Sequence, residues 1–169
     1  TDPEYDPSGP LSYTRVASDV ALVLLDEPIP TTVAAPFALH SGTGIDGPVS
    51  VVSYGRGRTD HMSWQKACNI IARNQGVFVM DCNVTYGSSG SAVFAREHGR
   101  YRIVSLNSAI GTFRGKKAAF GMELTRTVAA LKRVIRATPA RRSTSAKRLS
   151  VGSGMQRNTG QARFVKVTK

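Results

Sequence analysis

The run Asp81-Cys82-Asn83-Val84-Thr85-Tyr86-Gly87-Ser88-Ser89-Gly90-Ser91-Ala92-Val93-Phe94 holds the residues best suited to chemistry in this chain. Ser89 lies in a Gly/Ser loop, and a β-type apolar run follows it. Gly87 lets the backbone approach a ligand closely, and Gly90 relieves crowding just after Ser89. Such a loop can aim two backbone N–H groups at one point beside a hydroxyl, as an acyl-transfer nucleophile requires. Many Gly/Ser loops carry no chemistry, so the surrounding residues must decide. The Gly-x-Ser-x-Gly elbow pattern does not fit. Ser91 takes the final glycine position, and no strand-turn-helix pattern follows. Ser63-Trp64-Gln65-Lys66 matches Ser-x-x-Lys by spacing but lacks the companion motifs, so it is read as coincidence.

Two further features bear on the loop. Asp19 stands at the mouth of the apolar run Val20-Ala21-Leu22-Val23-Leu24-Leu25, where an acid can equally be a solvated strand end. Cys68 and Cys82 are the only cysteines. They could form a disulfide, a redox pair or two free thiols, with a disulfide favoured. A metal site is not expected, because two cysteines without nearby histidines cannot complete a tetrahedral set. A disulfide implies an oxidising compartment, so a secreted or periplasmic location is expected.

The elements that must position these residues read as all-β. The 169 residues are 41% hydrophobic, with sixteen glycines and eight prolines punctuating short apolar runs. That pattern favours strands over a helical bundle. No apolar stretch is long enough to span a membrane. The chain begins at Thr1 without a signal peptide and is expected to be a processed or truncated product. Strands are expected at Leu11–Val16, Val20–Leu25, Val49–Tyr54, Trp64–Ala72, Gly76–Cys82, Val93–Arg96, Tyr101–Leu106 and Ala118–Leu124. Glu97-His98-Gly99-Arg100 reads as a hairpin turn. Beyond Thr125, Val128, Leu131, Val134 and Ile135 recur at helical spacing, with Thr125 or Thr127 as the cap. Net charge is +12, and residues 138–169 hold eight basic groups and no acidic one. This tail is expected to be disordered, with Ala162–Val167 as the one candidate edge strand.

The Gly87–Ala92 run resembles the nucleophile loop of the trypsin-like (chymotrypsin-fold) serine proteases, in the bacterial form Gly-x-Ser-Gly-Ser-(Pro/Ala). Ser18-Asp19-Val20-Ala21-Leu22 resembles the family's Asp-(Ile/Val)-Ala-Leu-Leu segment. Val104-Ser105-Leu106-Asn107 resembles its Val-Ser-Trp-Gly strand. The resemblance covers roughly Tyr13 to Arg136. It implies a chymotrypsin-like double β-barrel, with the second barrel complete, the first partial, a C-terminal helix and a basic tail. The implied units are residues 1–45 (end of the first barrel and connection), 46–124 (second barrel), 125–137 (helix) and 138–169 (tail).

The resemblance also implies roles. Ser89 is the nucleophile, Gly87 and Ser89 donate the oxyanion-hole N–H groups, and Asp19 orients the base. The Ser105 hydroxyl approaches Asp19, and Ser105, Leu106 and Asn107 bind substrate as an added strand. Asn83 forms the base of the primary specificity pocket, with Ala118 and Ala119 along its wall. Asn83 is uncharged, so a preference for Lys or Arg is not expected. Cys68 and Cys82 brace the pocket wall. Ser88 replaces the aspartate that receives a new N-terminus in animal trypsins, so that activation route is not expected.

The family order is His, Asp, Ser, yet no histidine precedes Asp19. His40, His61 and His98 all follow it and read as surface residues. The expected activity is that of a serine endopeptidase acting on polypeptides without a cofactor. Its base would come from a missing N-terminal segment, separate or cleaved, and the fragment alone would be inactive. The alternatives are a pseudoprotease binding module, or binding of nucleic acid or another polyanion through the tail.

Overall fold

A computed structural model describes residues 6, 8–41 and 44–137. The expectations for residues 138–169, including the disordered tail and the Ala162–Val167 strand, lie outside the described residues. Seven antiparallel strands form one curled sheet: β1 (Val49–Ser53), β2 (Ser63–Cys68), β3 (Ile70–Asn74), β4 (Val77–Met80), β5 (Ala92–Glu97), β6 (Arg100–Phe113) and β7 (Lys116–Glu123). A short helix α1 (Tyr13–Ser18) precedes them and a longer helix α2 (Leu124–Ala137) follows. The fold is mostly β, a curled half-barrel with a C-terminal helix, consistent with a chymotrypsin-like fold.

The sheet order is β2-β1-β5-β6-β7-β4-β3. Its two edge strands, β2 and β3, are therefore successive in the chain. The Trp64–Ala72 run is not one strand but two, broken at Asn69, and each half pairs with a different neighbour. Curling allows this, because one continuous segment then serves both edges.

The seam between those edges is tied three ways. Cys68 and Cys82 form a disulfide across it, as expected. The Asp81 N–H donates to the Asn69 carbonyl at 3.0 Å. The Asp81 carboxylate accepts from the Asn69 backbone N–H at 2.5 Å and from its side-chain amide at 3.0 Å. The Asn69 side-chain hydrogen bond, then its backbone one, holds the Asp81 carboxyl below the usual carboxylate range.

Period-2 patterning supplies the interior. Val49, Val51, Met80, Val93, Val104 and Ala119 meet inside the curl, each almost fully buried. Burying each large apolar side chain is worth roughly 1.5–3 kcal/mol relative to exposure. A second cluster of Val20, Met122, Leu124, Val128 and Leu131 seats α2 on the sheet. The helical face read from the sequence is the buried one, but neither threonine caps it. Thr127 donates back to the Glu123 carbonyl, and Thr125 donates to the His40 carbonyl at 2.9 Å.

The N-terminal region departs most from expectation. Leu11–Val16 is not a strand: Ser12 accepts from the Arg15 N–H and caps α1. Val20–Leu25 is not a strand either. Val20 is buried, but Leu24 is 75% exposed and Leu25 53%. Alternation and apolarity can specify a strand only where a neighbour supplies the ladder, and no described strand pairs with this segment. Leu39 alone forms a bridge, to Ile103. No helix among the described residues is long and apolar enough to cross a membrane.

Replacing both Cys68 and Cys82 by serine should lower unfolding stability by about 3 kcal/mol, read from the urea midpoint. Asp81→Asn should change the acid limb of stability. A carboxylate held below its usual range contributes stability that is present above that range and lost as pH falls through the lowered value. The variant should therefore be less stable near neutral pH and show a shallower decline in acid, measured by thermal melts across pH.

Candidate active site

The chain leaves β4, passes the disulfide at Cys82 and folds into the loop that carries Ser89. Two turns shape it: the Ser88 N–H donates to the Thr85 carbonyl, and the Ser91 N–H to the Ser88 carbonyl, both at 3.1 Å. The Ser88 side chain points inward and donates to the Ser53 hydroxyl at 3.1 Å. Gly87 and Gly90 adopt φ of 87° and 78°, the left-handed region that L-residues disfavour. At Gly87 a Cβ would also stand 3.1 Å from the Arg56 backbone nitrogen.

The loop is pinned on both flanks. On one side the Arg56 N–H donates to the Tyr86 carbonyl at 2.7 Å. On the other, Asn107 of β6 makes three bonds to it. Its carbonyl accepts from the Gly90 N–H at 2.7 Å and its N–H donates to the Ser91 carbonyl at 2.9 Å. Its side-chain amide donates to the Ser91 hydroxyl at 2.8 Å, and that hydroxyl donates onward to the Ser88 carbonyl at 2.6 Å. Ser89 stands exposed between the flanks. Among the described residues, neither the Gly87 nor the Ser89 N–H has a hydrogen-bond acceptor. Beside Ser89 opens a cleft of about 220 Å³ lined by Val84, Thr85, Tyr86, Ser108, Ala109 and Ile110 together with the loop serines and Asn107. No charged side chain lines it.

The carboxylate is close to this strand, though not through the serine expected. Ser108, not Ser105, donates to Asp19, at 2.6 Å. Ser105 is fully buried, and its hydroxyl donates to the Leu106 carbonyl. It sits where a Cβ on Gly121 of β7 would meet it at 2.4 Å. Ser108 escaped the sequence reading because the β6–β7 register shifts between Asn107 and Ala109. A bulge breaks the odd–even rule that would assign faces from spacing alone. Two serines three positions apart were visible, and their relative facing was not.

The other expected substrate residues also sit differently. Leu106 pairs with Ala92 and Met122 on its two sides and packs against the α2 cluster. Asn107 uses its peptide groups on the Ser91 loop, leaving none for an added strand. Past that point β6 has β7 on one side, and Ser108, Ala109 and Ile110 face the cleft. Asn83 is exposed and outside the cleft lining. Its N–H donates to the Gln65 side chain at 2.7 Å and its side-chain oxygen accepts from Lys117 at 3.4 Å. Ala118 and Ala119 are buried in the sheet rather than on the cleft wall.

All three histidines are placed, and none lines the cleft. His61 and His98 are exposed. His40 is not a surface residue: it is 7% exposed, with its imidazole 3.7 Å from Glu97 and its N–H bonded to the Ile103 carbonyl.

The two loop glycines should differ on substitution. Gly87→Ala adds backbone strain and a contact with Arg56, and should cost roughly 1–3 kcal/mol. Gly90→Ala meets no atom within 4 Å and should cost about 1–2 kcal/mol from φ alone. Thermal denaturation of the two variants checks the order.

No protein-family model matches the chain, and no curated protein matches it in sequence. Among solved structures, it is similar to a thermostable serine protease, AL20, from an extremophilic microorganism. That likeness has 20% identity and a TM-score of 0.44, and covers 61% of this chain. The chain spans about half of that protein, 48% of its length.

Proposed function

We propose that the chain carries the nucleophile half of a serine endopeptidase. The observation that carries this reading is the pair of N–H groups at Gly87 and Ser89, both without acceptors among the described residues and beside an exposed hydroxyl. In this reading the Ser89 Oγ attacks a peptide carbonyl carbon and its proton passes to a base. The two N–H groups stabilise the negative charge on the carbonyl oxygen, each donor being worth roughly 3–4 kcal/mol of barrier. The C–N bond then breaks, the proton goes to the leaving amine, and water hydrolyses the acyl ester on Ser89.

Asp19 is the orienting carboxylate of this site, and Ser108 holds it. The substrate strand adds to the free side of β6 at Ser108–Ile110, three residues beyond the Ser105–Asn107 position read from the sequence. The cleft takes an uncharged side chain, because its lining carries no charge. The base is an imidazole from outside these 169 residues, since each of the three histidines lies elsewhere. Exposed apolar residues around Leu24 and Val33, the latter 76% exposed, support an additional segment packing there. The disulfide supports a secreted or periplasmic location. The absence of a histidine from the cleft favours one competing reading, a protease-derived module that binds peptides without cleaving them.

A fluorophosphonate probe separates the two. The protein together with a histidine-bearing segment should be labelled at Ser89, and Ser89→Ala should abolish labelling. The 169-residue chain alone should label far more slowly. No labelling in the presence of that segment would remove the endopeptidase reading and leave the binding module.

A further inference from the structure

The flank of the loop opposite β6 carries charge that the catalytic reading does not use. Arg56 holds the Tyr86 carbonyl through its backbone, and its guanidinium lies over the Tyr86 ring, 5.0 Å from the centroid. Tyr86 itself lines the cleft beside Ser89. A guanidinium held over a ring keeps its charge, and Arg56 is exposed, so its N–H donors stay open to a ligand. Arg58 closes the same turn through its N–H to the Gly55 carbonyl at 2.9 Å. Its guanidinium folds back over Gly55, 3.8 Å from where a Cβ would stand. Neither arginine is in an ion pair among the described residues. Asp60 is the acid nearest in sequence and pairs with neither.

The acyl-transfer reading of Ser89, with the half of the peptide before the scissile bond laid along the free side of β6, sends the leaving half over the opposite Tyr86–Gly87 flank, where the arginines stand. We infer that Arg56, with Arg58 beside it, forms a subsite for an acidic side chain on the leaving-group half of the substrate peptide. A carboxylate there would accept charge-assisted hydrogen bonds from the guanidinium N–H donors. This subsite rests on the acyl-transfer reading of Ser89 for its direction, but its chemistry is that of a peptide-binding site whether or not cleavage occurs.

The test is binding, with Ser89→Ala as the parent protein. Fluorescein-labelled peptides share one acyl half and carry either Glu or Gln in the first positions of the leaving half. At low ionic strength the Glu peptide should bind about five-fold tighter, the upper range for an exposed pair. Added salt should erase the difference, and Arg56→Ala with Arg58→Ala should do the same. Arg100→Ala, on the distant hairpin, should leave it intact and so controls for the chain's overall positive charge. Equal affinities for the two peptides would overturn the subsite, as would a Glu preference that survives loss of both arginines. Probe labelling of Ser89 reports separately. A Ser89 left unlabelled in the presence of the histidine-bearing segment, with an Arg56-dependent preference, removes the endopeptidase and keeps the subsite. A labelled Ser89 without the preference does the reverse.

Discussion

β5 pairs with β6 only as far as Ala92 and Leu106, whereas β7 follows β6 on to Phe113. At Asn107, one side of β6 therefore loses its partner while the residue is still 97% buried, with 3% of its surface exposed. Buried peptide groups need hydrogen bonds, and leaving one unmade costs about 1–3 kcal/mol. The Ser88–Ser91 loop meets that need: Gly90 and Ser91 take the places β5 has vacated. The loop is fixed to the sheet by the same bonds that satisfy β6. Ser89 is thereby held where the strand becomes open, and Ser108, one residue past the clamp, meets Asp19.

The other flank depends on closure of the curled sheet. β2 runs straight into β3, so Cys68, Asn69 and Ile70 cross from one sheet edge to the other. The disulfide and the Asn69–Asp81 bonds anchor that crossing to the segment leading from β4 into the Ser89 loop. The start of the loop is held by a covalent seam, its middle by Arg56, and its end by Asn107. The apolar surface at residues 23–37 contrasts with this. Val23, Leu24 and Ile29 are all more than half exposed, and Phe37, though its ring meets Phe94 at 4.9 Å, is 59% exposed.

Parts of this are legible in the amino-acid sequence. The Gly/Ser loop, the cysteine pair, the Glu97–Arg100 hairpin and the buried face of α2 each follow from signals within a few residues of one another. The misses share a cause. Ser12 is a good cap, yet Leu11, Tyr13 and Val16 suit a strand or a short helix equally well, and packing on β7 chooses the helix. Trp64–Ala72 reads as one β run because the break at Asn69 comes from switching sheet edges, not from a local breaker. Val20–Leu25 has strand composition without a strand beside it.

The amino-acid sequence determined the chemistry available: a hydroxyl between glycines, an acid before an apolar run, and two cysteines able to bridge. These are properties of residue type and spacing, which covalent order alone specifies. Tertiary structure decided which groups meet. It chose Ser108 over Ser105, tied Asn107 to the loop instead of to an added substrate strand, turned Asn83 outward and buried His40 against Glu97. The choice of Ser108 depends on strand register and on one irregularity in β6, and register is set by pairing between residues far apart in the chain.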